Sequence, residues 1–316
     1  MRVLVVGAGA IGGYFGGRLL EAGRDVTFLV RPRRAAELAR TGLVIRSRFG
    51  DAVLAAPPTR HADALDGPFD VVLLSSKADA LEDAIESFAP AVGPETAIVP
   101  LLNGMRHLDV LDARFGAARV LGDECLISAT LDADGAVIHL NDAHALLFGE
   151  RSGTRSSRIE AIADAFAGAT FDGRPSDSIL QEMWEKWVFI ATGAGITCLM
   201  RATIGDIVAA GGAELAAALL AECAAIAARQ GFAPRPAFLD RTRRMITAPG
   251  SPLTASMLRD IERGAPTEVE PILGDLLHRA GEAASGQAPL LSLAVSHLRA
   301  YEARRAREQA ALAAAA

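Results

Sequence analysis

Near its start the chain carries four branched aliphatic residues, Val3-Leu4-Val5-Val6, that run without a break into Gly7-Ala8-Gly9-Ala10-Ile11-Gly12. A short apolar run closed by glycine reads as a strand buried on both faces. The next stretch reads as an amphipathic helix starting near Gly9. In that context each glycine does something different. Gly7 allows the tight turn, Gly9 lets the backbone approach a pyrophosphate, and Gly12 lets helix and strand pack closely. The helix N-terminus then offers free N–H groups and a positive dipole end to the anion. Without the strand and helix, GxGxxG is only a glycine-rich turn; with them it predicts a dinucleotide-binding βαβ unit. Gly7, Gly9, Ala10, Ile11 and Gly12 are the expected cofactor contacts.

The end of the second strand selects the cofactor. A carboxylate there would bind a ribose 2′-hydroxyl. Here Phe28-Leu29-Val30 leads instead into Arg31-Pro32-Arg33-Arg34. A guanidinium pairs bidentately with a 2′-phosphate, so the expectation is NADP(H), with Arg31, first after the strand, as the leading phosphate ligand.

The first half continues as alternating strands and helices, the pattern of a parallel sheet covered by helices. Strands are expected at Val3–Val6, Asp25–Val30, Val71–Ser75 and Thr96–Leu101, and helices from near Gly9, Arg33 and Ala78 and around Leu108–Phe115. Between Gly122 and Gly149 the pattern becomes strand, turn, strand, with Asp134-Gly135 as a hairpin signal. That segment is expected at the far edge of the same sheet. From about Ser176 the periodicity is helical, over Ile179–Met200, Glu214–Gln230, Leu253–Arg263 and Val269–Ala284. Ser251-Pro252 suits a helix start and Gly264 a stop. The Ala/Arg-rich tail from Leu291 is expected to fray beyond Glu302. The fold class is therefore α/β: a Rossmann-type dinucleotide-binding domain, residues 1–172, followed by an all-helical C-terminal domain, residues 173–316.

Composition narrows the partners. A net charge of −6 argues against nucleic acid or an acidic membrane surface. No apolar run reaches the roughly 18 residues of a membrane span. Residues 2–6 already form a strand leading into the motif, which leaves no room for a cleaved targeting segment. The three cysteines, Cys125, Cys198 and Cys223, form no CxxC pair, and the six histidines show no ligand spacing. The expectation is a reduced, cytoplasmic protein without a metal. Helical second domains of this kind often pair, so a homodimer is left open.

Several polar residues stand where chemistry gathers. Asn103 follows the fourth strand and Lys77 the third, at the carboxyl edge of the sheet where open α/β folds bind ligands. Asn103-Gly104 is also an ordinary turn pair, and Lys77 also suits a surface lysine. Lys186 lies in the Ile179–Met200 helix on a face that continues through Ile190, Gly193 and Ala194. It suits either a proton donor in a cleft or an exposed Glu182–Lys186 pair of about 0.3–0.5 kcal/mol. Ser256 and Asp260 share a helix face opposite Leu258 and Ile261.

These residues fall into a known pattern. The opening GAGAIGG with Arg31, Ser76-Lys77-Ala78, Leu102-Asn103-Gly104-Met105, Trp184-Glu185-Lys186-Trp187, Ser256-Met257-Leu258-Arg259-Asp260-Ile261 and Thr267-Glu268 resemble the ketopantoate reductase (2-dehydropantoate 2-reductase) family in order and spacing, over nearly the whole chain. The resemblance implies an NADPH-dependent oxidoreductase of pantothenate biosynthesis, reducing 2-dehydropantoate to pantoate. It implies Lys186 as the acid that protonates the nascent alkoxide and Glu268 beside the reacting centre, helping to organise donor and cofactor. It also implies Ser256 on the substrate carboxylate. Asn103 would hold the nicotinamide end and the substrate carbonyl together, and Lys77 would add positive charge near cofactor or substrate.

The chain departs from the pattern one and two turns after Lys186. There the family's best-known members carry substrate-contacting asparagines; here the positions are Ile190 and Ala194. Thr192 and Thr197 are nearby substitutes at other angles on the helix. The departure leaves cofactor and reaction type standing and opens a second reading, a reductase of a more apolar 2-oxo acid or ketone. A reading of another class, a non-catalytic NADPH-binding sensor, would not need Lys186, Ser256 and Glu268 together.

Overall fold

In a computed structural model, which describes residues 1–281, 286 and 288–315, the chain divides into two compact units. The first comprises Met1–Leu102 and His107–Leu180, the second Asn103–Arg106 and Gln181–Ala316.

The first unit alternates as the sequence suggests. Its elements are β1 (Arg2–Val6), α1 (Ala10–Glu21), β2 (Asp25–Leu29), α2 (Pro32–Thr41), β3 (Leu43–Arg46), β4 (Ala52–Leu54), β5 (Thr59–Arg60), β6 (Val71–Leu74), α3 (Leu81–Phe88), β7 (Ala97–Pro100), α4 (Arg106–Phe115, which begins in the second unit), β8 (Gly122–Leu131), β9 (Val137–Gly149), α5 (Ser157–Phe166) and β10 (Asp172–Pro175). Five strands form a wholly parallel sheet in the order β5-β2-β1-β6-β7. Its central strands are apolar on both faces: Val3, Leu4, Val5, Val72 and Leu73 are all buried. Such residues cannot sit on a one-sided sheet, so helices must cover them. Phe15 and Leu19 of α1 lie in the same core.

The Gly122–Gly149 segment corrects an expectation. It is an antiparallel hairpin, β8 on β9, but it does not extend the parallel sheet. It belongs to a second sheet in which β9 also pairs in parallel with β3 and β10, and β3 pairs with β4. At thirteen residues, β9 is long enough to pair β8 along one side while β3 and β10 share the other. The short strands β3, β4 and β10 carry no two-residue alternation strong enough to read from sequence.

The second unit is helical. It contains α6 (Ile179–Met200), whose first two residues belong to the first unit, then α7 (Ile204–Ala209), α8 (Ala213–Arg229), α9 (Pro236–Ile246), α10 (Ser256–Glu262), α11 (Asp275–Arg279) and α12 (Pro289–Ala315). A Cβ on Gly195 of α6 would stand 2.8 Å from Leu219 of α8 and 3.7 Å from Ala294 of α12. That glycine sets how closely the three helices pack. Glu222 of α8 caps α12 by accepting from the N–H groups of Leu290 and Leu291, where a carboxylate also meets the positive helix end.

Three helix boundaries differ from the sequence reading. The helix expected at Leu253 begins at Ser256, because the carbonyls of Ser251 and Leu253 accept from the N–H groups of Gly205 and Ile204 and hold that stretch out of the helix. Gly264 does end it, at a φ of +68°. The helix from Val269 contains a π turn over Glu270–Gly274 before α11, and the last part of the expected span, residues 282–284, lies outside the described residues. The tail stays helical past Glu302 to Ala315, as befits its alanine content.

Candidate active site

The glycine motif folds as its spacing requires. Gly7 has a φ of +94°, a left-handed conformation that only glycine adopts cheaply. Gly9 is the N-cap of α1, and a Cβ there would meet nothing within 4 Å, so the approach to the helix N-terminus is open. A Cβ on Gly12 would overlap Ser75 Oγ and the Gly7 carbonyl. Ser75 in turn donates to the Val6 and Gly7 carbonyls, tying the end of β6 under the loop. Ala10 and Ile11, both half-buried, form the first turn, where the N–H groups have no intrahelical partner. An open cradle of backbone donors between β1 and α1 fits a dinucleotide pyrophosphate.

Arg31 is the N-cap of α2 and its side chain is 79% exposed, with the carboxylate of Asp83 at 3.7 Å. Arg33 is also exposed and pairs with Glu37. Arg34 is different: its guanidinium donates to the carbonyls of Ala8 and Gly135 and to Glu37. Hydrogen bonds from Arg33 and Arg34 hold the Glu37 carboxyl below the usual range. The sequence singles out Arg31 by its place directly after the strand, but the different tethering of Arg33 and Arg34 depends on how α2 faces the loop and the hairpin. Lys77 is exposed and opens the turn after β6.

The other candidates, Asn103, Lys186, Ser256 and Glu268, all belong to the second unit. Asn103 Nδ2 lies 3.4 Å from Glu268 Oε2. The turn carrying Asn103 is pressed against the π turn: Gly104 has a φ of +80°, and a Cβ on it would overlap the Pro271 carbonyl. Asn103-Gly104 is thus a turn pair that also brings the Asn103 amide to Glu268. Thr267 fixes the approach to Glu268, donating through both N–H and hydroxyl to Glu302, each at 2.7 Å.

Lys186 is half-buried on α6, next to Trp187, which is 1% exposed. The Trp187 indole donates to the Ile272 carbonyl at 2.8 Å, so the helix carrying Lys186 holds the π turn that follows Glu268. On the other side, Glu185 is 4% exposed and locked to Arg235 and Gln181. Burial alone would raise its carboxyl, but the bonds from Arg235 outweigh it and hold the pKa down. That carboxylate is therefore committed to anchoring α9. Lys186 and Glu182, the two members of the surface-pair reading, are both half-buried. The anchoring role of Trp187 was not legible, since a tryptophan on an apolar helix reads as core.

Ser256 is exposed at the first position of α10. It is held from a separate anchor, the Ala255 N–H donating to Thr197 Oγ1 at 3.4 Å. Thr197 lies ten residues beyond Trp187, about 15 Å along the helix axis. Both threonines considered as substitutes are spent: Thr192 and Thr197 are fully buried and donate to the carbonyls of Val188 and Gly193. Ala194 is also buried, which leaves Phe189, Ile190 and Gly193 as the half-buried positions within two turns beyond Lys186.

Cys125, Cys198 and Cys223 are buried thiols, and burial pushes Cys198 and Cys223 up to about 12. No described helix is long and apolar enough to cross a membrane.

Residues 3–153 match the family described as ketopantoate reductase PanE/ApbA, and residues 178–302 match its C-terminal counterpart. The chain is 40% identical over 304 residues to the uncharacterized oxidoreductase YkpB of Bacillus subtilis, covering 96% of this chain and 99% of that one. It is 30% identical over 295 residues to a 2-dehydropantoate 2-reductase of Mesorhizobium japonicum, covering 86% and 89%. The crystal structure of 2-dehydropantoate 2-reductase from Geobacter metallireducens superposes with a TM-score of 0.83 at 30% identity, covering 95% of this chain and 99% of that one.

Proposed function

The chain belongs to the ketopantoate reductase family, and from that premise we propose that it reduces 2-dehydropantoate to pantoate with NADPH. The family's chemistry is the nicotinamide-dependent reduction of a 2-oxo acid; the choice of NADPH and of this substrate is our reading. It carries with it a place in pantothenate biosynthesis, a cytoplasmic location and a homodimer as the expected assembly.

When bound, NADPH supplies the hydride. Gly7, Gly9, Ala10, Ile11 and Gly12 would hold its pyrophosphate, Arg31 its 2′-phosphate, and Lys77 would add positive charge nearby. Lys186 donates the proton to the alkoxide oxygen as the carbonyl is reduced. Glu268 and Asn103, already in contact, orient the reacting carbonyl and the nicotinamide end, and Ser256 donates its hydroxyl to the substrate carboxylate. The observation that carries the reading is this mounting of Lys186. It stands half-buried beside Trp187, whose indole fixes the segment presenting Glu268 to Asn103. A proton donor and two orienting polar groups on one scaffold are what carbonyl reduction requires.

A second reading keeps the mechanism and changes the substrate to a more apolar 2-oxo acid or ketone. It is favoured by Ile190 and Gly193 on the Lys186 face and by the spent hydroxyls of Thr192 and Thr197. Following NADPH absorbance with 2-dehydropantoate, from micromolar to millimolar, separates the two. Saturable oxidation supports the first reading; oxidation only with apolar 2-oxo acids supports the second. Tight NADPH binding without turnover on any carbonyl would leave the non-catalytic sensor.

A further inference from the structure

We propose that Arg34 is a positioning residue for the dinucleotide and takes no part in reading the 2′-phosphate. The inference rests on the cofactor assignment above and concerns the first unit alone. Arg31, Arg33 and Arg34 all follow β2 closely, yet their side chains differ in how firmly they are tied down. The side chain of Arg34 is 17% exposed, against 79% for Arg31 and 93% for Arg33. Its Nε donates to the Ala8 carbonyl at 3.1 Å, Nη2 to the Gly135 carbonyl at 3.0 Å and Nη1 to Glu37 at 3.2 Å. One planar fork therefore joins the glycine loop, the tip of the β8–β9 hairpin and α2.

Ala8 lies between the first two glycines of the motif. In a trans peptide the carbonyl and the following N–H point in opposite directions, and no peptide among the described residues is cis. Holding the Ala8 carbonyl against Arg34 thus turns the Gly9 N–H away from it, at the residue where the loop is open to a ligand. The far end of the latch is itself rigid. Asp132 Oδ1 accepts from the N–H groups of Asp134 and Ala136, and the Gly135 N–H donates to the Asp132 carbonyl. Gly135 has a φ of +80°, and a Cβ there would stand 2.6 Å from Arg34 Nη1, so the tip is shaped around the guanidinium. Just beyond it, Val137 packs on Gly13 of α1, where an added Cβ would be 3.0 Å away. The second sheet, on this view, braces the loop that receives the pyrophosphate. The pyrophosphate is common to NADPH and NADH, whereas the 2′-phosphate is not.

The test is equilibrium binding of NADPH and NADH, followed by nicotinamide fluorescence, with apo-protein melting measured in parallel. Arg34→Lys keeps the positive charge but cannot span both carbonyls. It is expected to weaken NADPH and NADH by the same factor, about tenfold, with an apo melt that stays cooperative. Gly135→Ala, which touches no cofactor position, is expected to weaken both as well. Arg31→Ala is the contrast, weakening NADPH alone. If Arg34→Lys and Gly135→Ala leave both affinities unchanged, or if Arg34→Met lowers NADPH affinity alone, the positioning role is overturned while the dinucleotide reading stands. Wild-type protein that binds neither nucleotide overturns both.

Discussion

Asn103 Nδ2 and Glu268 Oε2 lie 3.4 Å apart although 165 residues separate them in the chain. The contact is long for a hydrogen bond, so its value is in orientation rather than in stability. It should therefore appear in turnover. Asn103→Ala and Glu268→Gln are each expected to lower kcat by roughly tenfold or more while leaving the melting temperature nearly unchanged. If the pair acts as a unit, the double variant will lose less than the product of the two single losses. Steady-state kinetics of the four proteins decide it; strictly multiplicative losses would mean the groups act separately.

Lys186→Met removes the proposed acid and keeps a long apolar stem on α6. The expected fall in kcat is on the order of 10²–10⁴, the range of general acid catalysis. NADPH affinity, read by fluorescence, should be nearly unchanged. A variant that keeps wild-type turnover would take Lys186 out of the mechanism.

Four strands of the first sheet and its parallel character were legible because strands buried on both faces need no partner information to be recognised; the strand order and the two-residue β5 were not. The second sheet was not, because β9 pairs with strands drawn from three parts of the chain and its register depends on tertiary contacts. The same division runs through the site. Gly7 and Gly12 have local steric duties that spacing reveals. The tie of Arg34 to Ala8, the hold of Trp187 on the π turn and the burial of Thr197 depend on which elements meet.

Arg31 faces Asp83 at 3.7 Å, both largely exposed. An exposed pair of this kind contributes little to stability, but its carboxylate competes with a phosphate for the same guanidinium. Asp83→Asn should lower the KM for NADPH by a factor of about two to five at low salt, with no change for NADH, and the gain should shrink as salt screens the charge. An equal gain for both cofactors would place the effect elsewhere.

Gly104→Ala tests the turn that presents Asn103. The new methyl meets the Pro271 carbonyl, and the residue must hold a φ of +80°. Strain in that region costs about 1–3 kcal/mol before any overlap is counted. The expected result is a lower melting temperature together with reduced turnover, because relief of the overlap moves Asn103 from Glu268. Thermal melts and kinetics on one preparation test both; loss of neither would mean the turn relaxes without cost.

His144 gives the first unit a pH dependence. Its ring stacks on Phe49 at 3.8 Å, its Nδ1 meets the Tyr14 hydroxyl at 2.9 Å, and His139 lies nearby with ring centroids 5.9 Å apart. Burial, then the neighbouring charges of His139 and Arg18, lower its pKa from 6.5, against a smaller opposing effect of Asp172. The folded state therefore holds this proton less tightly than the unfolded chain. Well above pH 6.5 both states are neutral at this ring and it contributes no pH dependence. As pH falls through that value the unfolded chain gains the proton first, so stability declines until the folded-state pKa is passed. Melting temperature measured from pH 8 to 5 should fall over the acid half, and His144→Gln, which keeps an acceptor for Tyr14, should flatten part of that slope. An unchanged slope in the variant would assign the acid sensitivity to other groups.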